Sequence, residues 1–211
     1  MIEEKYTKKN KGRLEVVCGS MFSGKSEELI RRLRRVEFAN LSTQVFKHSL
    51  DNRTTTEYIS AHSGDRLAAV ALENVESMRE FILPETDVIG IDEVQFYSHD
   101  IVVLVNDLIE DGRRVIVAGL DLDFRGIPFG PMPTLLAMAD DVLKLKAVCM
   151  KSGQDAHFTQ RLVNGCPARV DEPVVLIGAK EWYEARSRDN YKMDRDCLIS
   201  FVERQKRLIN G

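Results

Sequence analysis

With 211 residues, 44% of them hydrophobic and 30% charged, the chain has the composition of a globular protein large enough for one full domain and a smaller appended one. A net charge of −3 argues against a general nucleic-acid binder, and no segment approaches the ~18 apolar residues that span a bilayer. The expectation is therefore a cytoplasmic protein with neither nucleic acid nor membrane as partner, and its four cysteines (Cys18, Cys149, Cys166, Cys197), which form no Cys-x-x-Cys pair, read as free thiols.

Residues 1–11 are polar and read as a flexible tail. Residues 14–18 read as a short buried strand running into a glycine turn. Residues 26–39 follow as a helix, with Leu29, Ile30, Leu33 and Val36 spaced for one buried face. A strand is expected at 43–47, then a polar, turn-rich loop over 48–66 and a short apolar stretch at 67–72. A helix at 74–82, a strand at 87–91, a helix at 101–110 and a buried strand at 114–118 come next. Residues 119–133 are rich in Gly and Pro and read as a loop, 134–139 begin another helix, and 141–149 alternate like a strand. Such alternation over 12–148 indicates an α/β fold with a mostly parallel sheet flanked by helices. From 149 to 192 the segments shorten, with turn signals at Ser152-Gly153, Asn164-Gly165 and Asp171-Glu172-Pro173, which suggests a small β-rich unit. Residues 193–211 form a C-terminal tail of helical character. The run Arg31, Arg32, Arg34, Arg35 reads as solvated helix charge.

Gly19-Ser20-Met21-Phe22-Ser23-Gly24-Lys25-Ser26 matches the phosphate-binding pattern G-x-x-x-x-G-K-[ST] between a strand and a helix. In that setting successive backbone N–H groups face phosphate oxygens, the helix N-terminus favours negative charge, Lys25 reaches the β- and γ-phosphates of ATP, and Ser26 ligates Mg²⁺. The apolar strand before Asp92-Glu93 supplies the second requirement. Asp92 is the carboxylate that holds the metal through water, and Glu93, one residue further, is the candidate general base. These two features suit an ATP-switched binding protein as well as a kinase.

Further segments narrow the choice. Asp51-Asn52-Arg53, Ile91-Asp92-Glu93-Val94-Gln95-Phe96, Val117-Ala118-Gly119-Leu120-Asp121, Phe124-Arg125-Gly126-Ile127-Pro128-Phe129-Gly130, Thr159-Gln160-Arg161-Leu162 and Ile177-Gly178-Ala179 run in an order that resembles the type II thymidine kinases, the family of the cytosolic animal enzyme and most bacterial ones. The resemblance implies transfer of the γ-phosphate of ATP to the 5′-hydroxyl of thymidine or deoxyuridine. It implies Glu93 as base, with Arg53 and Arg161 beside the transferring phosphate, and Asp51 and Gln95 on the nucleotide side. Met21, Phe96, Leu120, Phe124, Phe129 and Thr159 would line the nucleoside pocket. A lasso over residues 164–178 would fold onto the base with Val174, Leu176 and Gly178, and Tyr183 would close over the sugar. Relatives are homotetramers inhibited by thymidine triphosphate, and both properties are expected here by analogy.

The resemblance breaks at one place. Most relatives hold a structural zinc with four Cys or His ligands, whereas the matching positions here are Cys149, Ser152, Ser187 and Asn190. One thiol, two hydroxyls and an amide are not the donors such a site requires, so zinc is expected to be absent.

Overall fold

The computed structural model describes residues 11–49, 58–60, 64, 66–174, 182–192 and 195–210. Its centre follows from the apolar run Leu14, Val16, Val17, Cys18. These residues are fully buried in strand β1 (Arg13–Gly19), as a strand covered on both faces must be. Around it the chain runs α1 (Lys25–Phe38), β2 (Thr43–His48), β3 (Tyr58–Ser60), β4 (Arg66–Ala68), β5 (Val70–Leu72), α2 (Val75–Phe81), β6 (Val88–Asp92), α3 (Asp100–Glu110), β7 (Arg114–Gly119), α4 (Met132–Met138) and β8 (Asp141–Leu145). Six of these strands form one sheet in the order β5-β2-β6-β7-β1-β8, and all five pairings are parallel.

Alternation along the strands divides the core in two. Val16, Ile89, Ile91, Val115 and Val117 face Met78, Ile101, Leu104, Met132 and Leu135 of α2, α3 and α4. Val17, Val88, Ile116 and Ala118 face Leu29, Ile30, Leu33 and Val36 of α1. A side chain at Gly90 would place its Cβ 2.7 Å from Leu33 Cδ1, so the close seat of α1 on the sheet depends on that glycine. Glu15 interrupts the apolar run of β1. Burial pushes its carboxyl up, but hydrogen bonds from Arg114 and Arg32 and the charge of Arg13 hold it below the usual carboxylate range.

The small unit comprises a two-stranded ribbon, β9 (Ala147–Val148) with β10 (Asp155–Ala156), and a three-stranded antiparallel sheet. The latter contains β11 (Phe158–Val163) between β12 (Cys166–Pro167) and β13 (Trp182–Arg186). Helix α5 (Arg195–Asn210) follows.

Four sequence expectations need correction. The loop expected over 48–66 contains β3, which pairs with β4 and buries Ile59 under α1; two three-residue strands are too short to show a period. The strand expected over 141–149 divides between β8, on the main sheet, and β9, in the small unit. Helix α4 starts two residues early at Met132, because Pro131 and Pro133 sit where a first helical turn tolerates proline. Arg32 is not a solvated charge: its guanidinium joins Glu15, Glu28 and Asp141 and ties α1 to β1 and β8.

Candidate active site

The phosphate-loop residues lie where β1 ends. Gly19 has φ 144°, and a Cβ there would stand 2.4 Å from Leu145 O, so only glycine lets the chain leave β1 so close to β8. Phe22 (φ 65°) and Gly24 (φ 85°) complete the turn in the left-handed region. Ser23 Oγ donates to Ser20 O at 2.8 Å, and Lys25 Nζ donates to the same carbonyl at 2.8 Å. Lys25 is therefore folded back along its own loop and nearly buried. Burial pushes its ammonium pKa down, against the opposing charges of Glu93, Asp92 and Asp121. Helix α1 has Gly24 at its N-cap and no side-chain cap hydrogen bond, and the positive end of its dipole favours an anion there.

Strand β6 delivers the acidic pair. Ser26 Oγ donates to Asp92 Oδ2 at 2.9 Å, and Glu93 N donates to Asp92 Oδ1 at 3.0 Å. Two hard oxygen donors thus meet at the foot of the phosphate loop, a set that suits Mg²⁺ completed by water and phosphate. Burial, then the neighbouring Glu93, pushes the Asp92 carboxyl up; Ser26 and Lys25 oppose this. Glu93 adopts φ 55°, a conformation uncommon for a non-glycine residue, as the chain turns from β6 into the 3₁₀ turn Val94–Phe96. Its carboxylate accepts from Gln95 Nε2 at 2.5 Å, while Gln95 Oε1 accepts from Leu120 N at 3.0 Å. Both ends of the buried Gln95 amide are thereby used to fix Glu93 against the loop that follows β7.

That loop supplies aromatic residues. Phe129 meets Phe96 edge to face at 5.4 Å, and Leu120 is half-buried at the loop's start. Phe124 lies beneath the Arg161 guanidinium at 4.8 Å. Arg161, fully buried on β11, donates to Pro173 O and to Glu172 Oε2, both at 2.6 Å. It therefore grips the expected lasso, and contact with a phosphate would require that grip to change. Tyr183 stands beside Arg161 on β13, and Val174 is half-buried at the end of the described lasso. Thr159 reaches the phosphate loop, where its Oγ1 accepts from Met21 N at 2.9 Å. Asp51, Arg53, Leu176 and Gly178 lie outside the described residues.

Two residues near the site escaped the sequence reading. Asp121 is buried at the C-terminal end of β7, bonded at 2.6 Å to Lys144 and close enough to act on Lys25. An acidic residue two positions beyond the end of a parallel strand beside the Asp92 strand is the available signal. Tyr191 stacks on Phe158 at 4.4 Å and donates its hydroxyl to Phe124 O at 2.7 Å, a link across 67 residues that no local pattern announces. A cavity of about 530 Å³ opens elsewhere, lined by Leu122, Lys144, His157, Phe158 and Arg188 among others. It contains none of the expected nucleoside residues.

The four positions of the family's zinc site do come together. Asn190 Nδ2 donates to Ser187 Oγ at 2.9 Å, and Ser187 Oγ lies 3.5 Å from Ser152 Oγ. Cys149 is buried beside them; burial pushes its thiol up, but hydrogen bonds from Ser152, Ser187 and the Lys151 backbone outweigh this and hold it at about 6. Among the described residues no three of His, Cys, Asp and Glu gather as a metal-binding cluster. This donor set does not fit structural zinc.

Compared with protein families, residues 12–191 match the one described as thymidine kinase. The chain belongs to the thymidine kinase family. The match takes in the phosphate loop, the acidic pair, the aromatic loop and the small β unit, and it ends before α5. Membership places the chain among the nucleoside kinases, which are phosphotransferases. Among solved structures, domain III of the Thermotoga maritima replication initiation protein DnaA is similar over 63% of this chain, at 19% identity and a TM-score of 0.37. The chain spans 54% of that one's length, and a likeness so distant carries no conclusion about activity.

Proposed function

We propose that the protein is a thymidine kinase that uses ATP to phosphorylate the 5′-hydroxyl of thymidine, or of deoxyuridine, giving the monophosphate for pyrimidine deoxynucleotide salvage. The observation that carries this reading is the fixed position of Glu93: Gln95 holds its carboxylate one residue from Asp92, whose other contact is Ser26 of the phosphate loop. A general base so placed serves a hydroxyl acceptor bound against the aromatic loop.

ATP phosphates would lie along residues 19–26, held by backbone N–H groups, the α1 N-terminus and Lys25 once its Nζ leaves Ser20 O. Ser26, with Asp92 through water, would hold Mg²⁺, which when bound offsets charge on the phosphate oxygens. Phe96, Phe124, Phe129, Leu120 and Met21 would supply an apolar wall for the base together with Thr159, Tyr183 and Val174, and the resemblance adds Leu176 and Gly178, which lie outside the described residues. Glu93 takes the proton of the 5′-hydroxyl as its oxygen bonds to the γ-phosphorus. The bond from that phosphorus to the β-bridging oxygen breaks, and ADP leaves. Asp51 and Arg53 join the nucleotide side, and Arg161 helps there if its grip on the lasso relaxes. Cytoplasmic location, a homotetramer and inhibition by thymidine triphosphate belong to the same proposal, on family analogy.

Coupled measurement of ADP release with and without thymidine tests the reading. Release that depends on thymidine is expected. Equal release without any nucleoside would instead make the protein an ATP-driven switch and overturn the kinase assignment.

A further inference from the structure

We propose that Thr159 is a positioning residue of the nucleotide site, holding the phosphate loop from the acceptor side. The phosphate loop makes two hydrogen bonds into the small unit: Met21 N donates to Thr159 Oγ1 at 2.9 Å, and Ser20 Oγ donates to Ala156 O at 3.3 Å. Both acceptors lie more than 130 residues away in sequence, and both are buried. A loop that must present several N–H groups to phosphate has to keep one geometry before the ligand arrives. Here the Met21 N–H is already committed to a protein acceptor, so it serves to fix the first half of the loop and leaves the second half and α1 to meet the phosphates.

The strand that supplies this acceptor also touches the lasso. Thr159 and Arg161 are alternate residues of β11 and so share one face. Arg161 holds Pro173 O and Glu172, while Thr159 holds Met21. The described part of the lasso and the phosphate loop are therefore held by one short, buried strand. Any change in nucleotide affinity caused by an acceptor must be matched by an equal change in acceptor affinity caused by the nucleotide.

The hydroxyl and the methyl of Thr159 can be separated by substitution. Thr159→Val keeps the methyl and removes the acceptor, which strands the Met21 N–H. Thr159→Ser keeps the acceptor and removes the methyl. The probe is the magnesium complex of a non-hydrolysable ATP analogue, bound in the absence of any nucleoside, with amide exchange at Met21 as the second readout. If Thr159 positions the loop, the valine variant binds the analogue about fivefold or more weakly and Met21 exchanges faster, whereas the serine variant stays within twofold of wild type. If Thr159 only lines the acceptor pocket, valine leaves affinity and exchange unchanged, and that result overturns the inference. So does a fivefold loss in the serine variant, which stands whether or not the valine variant folds. The inference rests on reading residues 19–26 as a nucleotide site but not on thymidine. A wild-type chain that fails to bind the analogue sinks both, while equal binding by all three proteins sinks the inference alone.

Discussion

The main sheet and the small β unit beside it are stabilised in different ways. Around the sheet, two large clusters of aliphatic and aromatic side chains fill both faces, and Phe46, Ile89, Ile101 and Leu104 are essentially inaccessible. In the small unit the buried apolar cluster is Ala147, Cys149, Ala156 and Ala185, four small side chains that remove little area from water. Its other buried positions hold Phe158 and Leu162 of β11 and a larger number of polar groups in hydrogen bonds and ring contacts, among them Thr159, Gln160, Arg161, Arg186 and Ser187. Polar contacts of that kind contribute about 1 kcal/mol each and depend on geometry, whereas a deep apolar core tolerates small shifts. The division suits the proposed chemistry: phosphate transfer needs a rigid platform, and an acceptor clamp has to open for its substrate.

The largest effect should come at the boundary between the two regions, where Glu93 meets the aromatic loop. Glu93→Gln keeps the shape of the side chain and removes the proton acceptor. The expected loss in kcat is about 10²–10⁴-fold with nucleotide affinity nearly unchanged, measured by steady-state kinetics and by binding of an ATP analogue. Retention of a third or more of kcat would break the assignment. The next largest effect lies within the sheet. Phe46→Ala should destabilise the protein by about 3–5 kcal/mol in a denaturant titration, because it opens a cavity in a fully buried site. A cost below about 1 kcal/mol would mean that the main core is as loosely packed as the small unit.

The small unit should respond more weakly to similar interference. Ser187→Ala removes the acceptor for Asn190 and the neighbour of Ser152, and about 1 kcal/mol is expected from one such bond. A smaller response, below about 1 kcal/mol, comes from the charges on α1. A hydrogen bond from Arg31 leads the causes that hold the Glu28 carboxyl at about 2, although part of the pair faces solvent. Because the folded value lies below the unfolded one, this contribution is fully present above about pH 4.5 and is lost as pH falls towards 2. Glu28→Gln should flatten the fall in melting temperature across that window. An unchanged slope would remove Glu28 from the account.

What could be read in the sequence divides along the same line. The phosphate loop, the strand before Asp92 and the buried face of α1 are local patterns of five to fourteen residues, and each is legible because its meaning rests on local spacing. Hidden features arise from contacts between distant segments. No local pattern announces that Thr159 accepts from Met21, 138 positions earlier. Nor does one show that Arg161 holds Pro173 O and Glu172. Asp121 took its meaning from Lys144, and Arg32 from Glu15 and Asp141, neither of which periodicity can supply. The hairpin of β3 and β4 was hidden for another reason, since three residues are too few for an alternating pattern to rise above a polar background.

The smallest expected effect is none at all, and it concerns zinc. The strongest case for a retained metal is the buried Cys149 thiol, lowered to about 6, because the thiolate is the form that ligates. A single thiolate is not a structural site, however. Tetrahedral zinc needs four donors of thiolate, imidazole or carboxylate type, and the other three positions offer the hydroxyls of Ser152 and Ser187 and the amide of Asn190. Those groups already meet one another: Asn190 donates to Ser187, and Ser187 neighbours Ser152. Protein purified without chelators or a polyhistidine tag is expected to carry well under one zinc per chain by elemental analysis. Prolonged treatment with a strong chelator should leave both its melting temperature and its thymidine-dependent ADP release unchanged. Near-stoichiometric zinc, with loss of folding on chelation, would mean that the small unit is held by an ion after all, and the contrast between the two regions would have to be redrawn.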